Sequence, residues 1–152
     1  MVNVIVAGAA GRMGGRIIHM VNENPEVSLT GAFERGDHPA VGRDAGEAAG
    51  LGAVGVPVAG SVKDVINDGD VIIDFTAPEA TLENVRVAAG KGKSVVIGTT
   101  GFAGERLEAL RESARGIRCV MAPNMSVGVN LMFRIAAEMA RILGDDYDLE
   151  IL

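Results

Sequence analysis

An α/β fold, a doubly wound parallel sheet in three α/β/α layers, is predicted by three observations. Short runs rich in Val and Ile alternate with longer segments of helical period, as in a parallel sheet covered by helices on both faces. A glycine-rich turn joins the first run to the first helical segment. The 21 glycines are spread between the apolar runs rather than gathered in one tract. They make up about twice the usual share of roughly 7%, which implies many tight turns.

Strands are expected over residues 2–7, 28–33, 54–58, 71–75, 94–97 and 117–121. Between the first two, a helix over 12–21 puts Met13, Ile17 and Val21 on one face at i, i+4 and i+8, with Arg12 and Arg16 on the other side. The stretch 36–55, rich in Gly, Ala and Asp, reads as a long loop with room for a short helix. Ser61 with Asp64 has capping-box spacing for a short helix to Asn67. Thr76 with Glu79 has the same spacing for a helix over 78–89, and Pro78 suits its first turn. A further helix is expected over 105–114. The longest follows Ser126, with Val129, Phe133, Ala137 and Ala140 as its buried stripe, and ends at Gly144. Residues 148–152 resemble the start of another strand. No repeat or linker interrupts the pattern, so residues 1–152 read as one domain.

Composition narrows the function. Fourteen Lys and Arg against twenty Asp and Glu leave a net charge of −6, an unfavourable mean field for a polyanion, so nucleic acid is not an expected partner. Four Phe, one Tyr and no Trp are too few for a base-stacking or carbohydrate-binding surface. The lone Cys119 allows no internal disulfide and, with only two histidines, no Cys/His zinc cluster; in an apolar strand it reads as a core residue. No metal is expected. No basic residue precedes Arg12, the first apolar run breaks at Gly8, and no window approaches the ~18 apolar residues of a membrane span. A cytoplasmic protein without membrane association is expected.

The first strand–helix turn reads Gly8-Ala9-Ala10-Gly11-Arg12-Met13-Gly14, a G-x-x-G-x-x-G variant of the dinucleotide fingerprint of Rossmann-type folds. Gly8 permits the tight turn, Gly11 lets a pyrophosphate approach the helix N-terminal N–H groups, and Gly14 lets helix and strand pack closely. Arg12, in the first helical turn, can pair with a cofactor phosphate; an ordinary surface arginine is the alternative. Glu34 stands at the end of the second strand, twenty positions after Gly14, where such folds place an acid for the adenosine ribose hydroxyls. Arg35 follows it. A carboxylate repels a 2′-phosphate and a guanidinium attracts it, so the pair reads as tolerance of both NADH and NADPH; an exposed ion pair is the plain alternative. Gly98-Thr99-Thr100-Gly101 and Ala122-Pro123-Asn124-Met125-Ser126 fall at carboxyl ends of strands, where open α/β sheets bind ligands. Their small hydroxyl and amide groups suit a nicotinamide ring, although taken by themselves the loops are better accounted for by turn chemistry and an N-cap at Ser126.

Together with Val-Ile-Val-Ala-Gly-Ala-Ala-Gly-Arg-Met-Gly (4–14), the segments Asp74-Phe75-Thr76, Val-Ile-Gly-Thr-Thr-Gly-Phe (96–102) and Asn-Met-Ser-Val-Gly-Val-Asn (124–130) resemble the 4-hydroxy-tetrahydrodipicolinate reductase (dihydrodipicolinate reductase) family of lysine and diaminopimelate biosynthesis, in order and over the whole chain from residue 2. The resemblance implies an NADH- or NADPH-dependent oxidoreductase that transfers a hydride to the cyclic dipicolinate precursor. It implies that Gly8, Ala9, Ala10, Gly11, Arg12 and Met13 hold the pyrophosphate, Glu34 the ribose, and Arg35 the 2′-phosphate of NADPH. Phe75 and Thr76 would flank the cofactor. Gly98, Thr99 and Thr100 with Ala122, Pro123, Asn124 and Met125 would line the nicotinamide end, Thr100 also reaching the substrate.

The family continues into a second, substrate domain with a His-His-x-x-x-Lys-type motif for proton donation and substrate binding, then a Gly-Thr pair for substrate carboxylates. That domain is absent from this sequence. The expectation is a chain cut before the catalytic segment, with no catalytic residue of its own and no activity alone. Neither His19, expected partly buried, nor His38, expected solvated, matches the motif, and neither do Lys63, Lys91 and Lys93. An open strand at 148–152 would fray or pair with a second copy, giving a homo-oligomer. A stand-alone dinucleotide-binding module without chemistry is the alternative. Another oxidoreductase with the same first domain, such as a dehydrogenase of aspartate metabolism, accounts for the glycine turn but not for the other two loops.

Overall fold

The structure, a computed structural model, describes residues 1–148 and residue 150. Its chain divides into two compact units, Met1–Met121 and a second that begins at Ala122.

The first unit is built on six parallel strands: β1 (Val2–Ala7), β2 (Val27–Phe33), β3 (Val58–Ala59), β4 (Val71–Asp74), β5 (Ser94–Ile97) and β6 (Cys119–Met121), in the order β3-β2-β1-β4-β5-β6. This is the doubly wound order whose direction reverses between β1 and β4, leaving a crevice at their carboxyl ends. Five helices cross between strands: α1 (Arg12–Glu23), α2 (Ala45–Ala49), α3 (Val62–Val65), α4 (Pro78–Gly90) and α5 (Gly104–Ala114). Successive side chains of a strand point to opposite faces, and β1 shows the consequence. Val4 and Val6 join Ile18, Val21, Ala32 and Ala45 in one core, while Ile5 and Ala7 join Val65, Ile72, Val85 and Leu110 in the other.

Among the differences from the expected bounds, which include β6 beginning at Cys119 instead of residue 117 and α3 stopping at Val65 short of Asn67, three have a clear local cause. The strand expected over 54–58 is reduced to Val58–Ala59 because the Asp44 carboxylate takes the N–H groups of Val54 (3.0 Å) and Gly55 (2.7 Å) and Pro57 has none to offer. The fourth strand stops at Asp74, whose Oδ1 accepts the Thr76 N–H at 2.9 Å and turns the chain out of the sheet. Thr76 does not cap α4. With Pro78 first in the helix the capping position is Ala77, and the Thr76 hydroxyl donates to Asp74 Oδ1 at 2.6 Å instead.

Exposure corrects several expected burials. The inner face of α1 is Gly14, Ile18 and Val21, Ile17 being partly covered and Met13 45% exposed. Cys119 is exposed, as are Val120 and Met121 of the same strand. His38 is half-buried, its Nδ1 accepting the Ala40 N–H at 3.1 Å. His19 is partly buried as expected, Nε2 lying 2.9 Å from the Ala49 carbonyl oxygen.

The second unit is α6 (Val127–Leu143) with a 3-10 turn, Gly144–Asp146. Ser126 caps the helix, accepting the Val129 N–H at 3.4 Å, and Gly144 ends it at φ 66°. Within this unit nothing covers the stripe expected at Val129, Phe133, Ala137 and Ala140, since the only other regular element among its described residues is too short to cover a seventeen-residue helix. The strand expected at 148–152 depends on Leu149, Ile151 and Leu152, which lie outside the described residues.

Candidate functional site

A cavity of about 530 Å³ opens at the carboxyl ends of β1, β2 and β4, beside the point where strand order reverses. Gly8 and Gly11 form one wall, Glu34 and Arg35 continue it from β2, and Phe75 and Thr76 face them from the end of β4.

The glycine turn fits its expected work by geometry. Gly8 takes φ +64°, a left-handed conformation that L side chains rarely adopt. At Gly14 a Cβ would be driven into the Gly8 carbonyl and to 2.9 Å from Ala9 Cα, so only glycine lets α1 seat on this turn. The turn is tied down by Gly11 N–H to Gly8 O at 2.9 Å and Ala9 N–H to Phe33 O at 3.1 Å. Gly11 is the capping residue of α1 and brings no side chain to the N–H groups of the first helical turn. Those donors, at the positive end of a twelve-residue helix, form a cradle for an anion.

Glu34 is half-buried, Oε2 accepting the Ala10 N–H at 3.3 Å and Oε1 the Arg35 N–H at 3.2 Å. Its carboxylate therefore sits between the glycine turn and the end of β2, with acceptor capacity left for hydroxyls in the cavity. Arg35 is exposed, its Nε 3.8 Å from Asp37 Oδ1. Arg12 is exposed on the first turn of α1 and lines, with Ala10 and Arg16, a shallower depression of about 370 Å³. Met13 lies exposed beside it on α1.

Beneath the cavity lies a polar cluster in which Asp74, Thr76 and Thr99 are joined by Thr81 and Asn84, two residues the sequence patterns did not single out. Asp74, fully buried, accepts Thr76, Thr81 and Thr99 hydroxyls through Oδ1 (2.6, 3.0 and 3.3 Å) and the Asn84 amide through Oδ2 at 2.8 Å. Thr81 and Thr99 meet at 2.8 Å. The cluster locks the ends of β4 and β5 to α4, and it spends the Thr99 side chain inside the protein, 3% exposed, while Thr100 is exposed. Thr81 and Asn84 stand at helical spacing with the buried Val85 and Ala88. Polar residues on an apolar stripe are the signal that could have found them. Gly98 packs beneath the Phe75 ring, which occupies the place a Cβ would take. The cavity also has a wall from Gly60 to Lys63 and a rim residue, Glu83, outside the expected set.

Ala122, Pro123, Asn124 and Met125 belong to the second unit. There Asn124 Oδ1 accepts the Ser126 N–H at 2.8 Å, and Asn130 Nδ2 donates to the Asn124 and Ser126 carbonyls at 3.0 and 2.8 Å, which fixes the entry to α6. Among the described residues no helix is long and apolar enough to cross a membrane.

Comparison with known proteins identifies the family and the fold of the chain. The family model for dihydrodipicolinate reductase, N-terminus, matches residues 2–125. The chain is 53% identical over 152 residues to a 4-hydroxy-tetrahydrodipicolinate reductase of Geobacter sp. (strain M21), and 51% identical to one from Desulfotalea psychrophila. It spans 57% and 56% of the lengths of those relatives, which cover all of it. Among solved structures, the dipicolinate-bound dihydrodipicolinate reductase from Paenisporosarcina sp. TG-14 superposes with a TM-score of 0.72 at 30% identity, over 92% of this chain and 54% of that one.

Proposed function

The chain belongs to the dihydrodipicolinate reductase N-terminal family, and from that premise we propose that residues 1–152 are the NADH- or NADPH-binding part of a 4-hydroxy-tetrahydrodipicolinate reductase acting in lysine and diaminopimelate biosynthesis in the cytoplasm. The observation that carries the reading is the glycine turn at the strand-order reversal, with its uncapped helix N-terminus and Glu34 alongside.

Each residue has a separable task. The first-turn N–H groups of α1 hold the pyrophosphate, and Arg12 adds a charge-assisted contact. Glu34 exchanges the Ala10 N–H for ribose hydroxyls, and Arg35 meets a 2′-phosphate when there is one. Phe75 and Thr76 bound the cavity on the β4 side, and Gly98, Thr99 and Thr100 offer backbone at the end of β5. The family resemblance assigns Ala122, Pro123, Asn124 and Met125 to the nicotinamide end and Thr100 to the substrate, and on that ground we take residues 1–152 as one nicotinamide-dinucleotide domain. The bound dinucleotide supplies the hydride. What these residues contribute is binding and orientation, and orientation alone is worth up to ~7 to 11 kcal/mol of a barrier.

Protonation of the developing charge on the substrate nitrogen and clamping of its carboxylates need an acid and a cation. His19 is bonded to the Ala49 carbonyl and His38 to the Ala40 N–H, and neither lines the cavity. Residues 1–152 alone are therefore predicted to bind cofactor without turning it over. Consumption of NADH in the presence of freshly generated substrate tests this. The reading expects none by these residues alone and activity when the remaining part of a relative is added as a separate polypeptide. Turnover by residues 1–152 at a rate near a whole reductase would place a full active site within them.

A further inference from the structure

The fourth wall of the cavity belongs to neither the glycine turn nor the Glu34–Arg35 pair. After β3 the chain passes through Gly60 to Ser61, whose hydroxyl accepts the Lys63 N–H at 3.2 Å and starts α3. Val62 goes inward, 3% exposed, into the core beside Phe33 and Val65. That anchor leaves its neighbour Lys63 at the cavity, which Lys63 lines together with Arg35. Across the opening Glu83 of α4 also lines it, and Lys63 Nζ stands 3.7 Å from Glu83 Oε1, the two side chains 69% and 55% exposed. The Arg35–Asp37 pair is as long, at 3.8 Å, and more exposed. Ion pairs of this length and exposure hold their partners weakly. The rim thus carries two cations, each loosely retained by a carboxylate and free to leave it for a stronger anion.

NADPH differs from NADH by a phosphate on the adenosine ribose, where Glu34 and Arg35 stand at the end of β2. A phosphate near its second ionisation carries close to two negative charges and three acceptor oxygens, more than either carboxylate offers. We infer that Lys63 is a second determinant of cofactor choice: its ammonium joins Arg35 on the 2′-phosphate of NADPH, and Glu83 restrains this by holding the lysine and repelling the phosphate. The inference rests on the dinucleotide reading above and deepens it. NADH has no group for Lys63 to meet, so the residue acts on one cofactor only.

Titrating the 152-residue chain and its variants with each cofactor tests the inference. Lys63→Ala should raise the Kd for NADPH about five- to tenfold and leave NADH within about twofold, while Lys63→Arg should restore most of the loss. Glu83→Gln should tighten NADPH severalfold without changing NADH, and that gain should shrink in the Lys63→Ala background, as coupling between the two residues requires. Unchanged NADPH binding by Lys63→Ala, in a chain that still binds NADH, overturns the inference and leaves the dinucleotide reading standing. Equal weakening of both cofactors also overturns it, since it would show Lys63 acting through the fold. Failure of the parent chain to bind either cofactor overturns the dinucleotide reading and takes the inference with it.

Discussion

Gly14 marks where one missing carbon decides whether the site exists. A Cβ there meets the Gly8 carbonyl, backbone that cannot swing aside, so Gly14→Ala must lift α1 off the turn. The expected result is a loss of about 1 to 3 kcal/mol in thermal unfolding together with loss of NADH binding. Arg12 is the opposite case, an exposed side chain that packs against little and can be removed cleanly. Arg12→Ala should keep the melting temperature and weaken NADH and NADPH alike by about 1.5 to 3 kcal/mol, roughly ten- to a hundredfold in Kd. Asp74 combines both kinds of role, since its carboxylate is the common acceptor for Thr76, Thr81, Thr99 and Asn84. Asp74→Ala orphans buried donors and should cost about 3 kcal/mol or more in denaturant unfolding. The turn glycines and Glu34 were legible because each answers a demand set within the one strand–helix–strand unit formed by β1, α1 and β2. The role of Asp74 was not, because its partners come from three segments that only the fold assembles.

Whole elements show the same division between local and distant causes. β1 and β5 lie where expected, over 2–7 and 94–97, because buried parallel strands need continuous apolar runs and little else. The strand expected over 54–58 failed because Asp44, ten residues upstream of Val54, claims the backbone donors a ladder would need while capping α2 through Gly46 and Glu47. That choice has a pH signature. The N–H of Val54 first, with those of Glu47, Gly55 and Gly46, holds the Asp44 carboxyl below its ordinary range. A carboxylate whose folded value is depressed stabilises the fold above its unfolded value near about 4, and that stability is lost as pH falls through the lower, folded value. Protection of the Val54 and Gly55 amides, their exchange rates taken relative to an unstructured peptide at the same pH, should therefore fall below about pH 4, and Asp44→Asn should remove that dependence. Protection at these amides that is unchanged by acid would show that Asp44 does not hold the loop.

For the molecule as a whole, the alternation of strand and helix was enough to predict a parallel sheet, and the strand order that follows places the glycine turn, Glu34 and Phe75 around one crevice. What covers α6 was not legible, because an apolar stripe states that a helix can be covered, not by what, and nothing among the described residues of its own unit covers it. The rim from Gly60 to Glu83 escaped notice for a related reason, as its residues carry no motif and meet only when β3 and α4 are brought to the same opening. The central claim is that these residues hold a nicotinamide dinucleotide at the glycine turn. Calorimetric titration of the 152-residue chain with NADH, beside its Arg12→Ala variant, tests it most directly. The account predicts saturable binding of one dinucleotide per chain, weakened about ten- to a hundredfold by the substitution, and binding that is absent, or indifferent to Arg12, would contradict it.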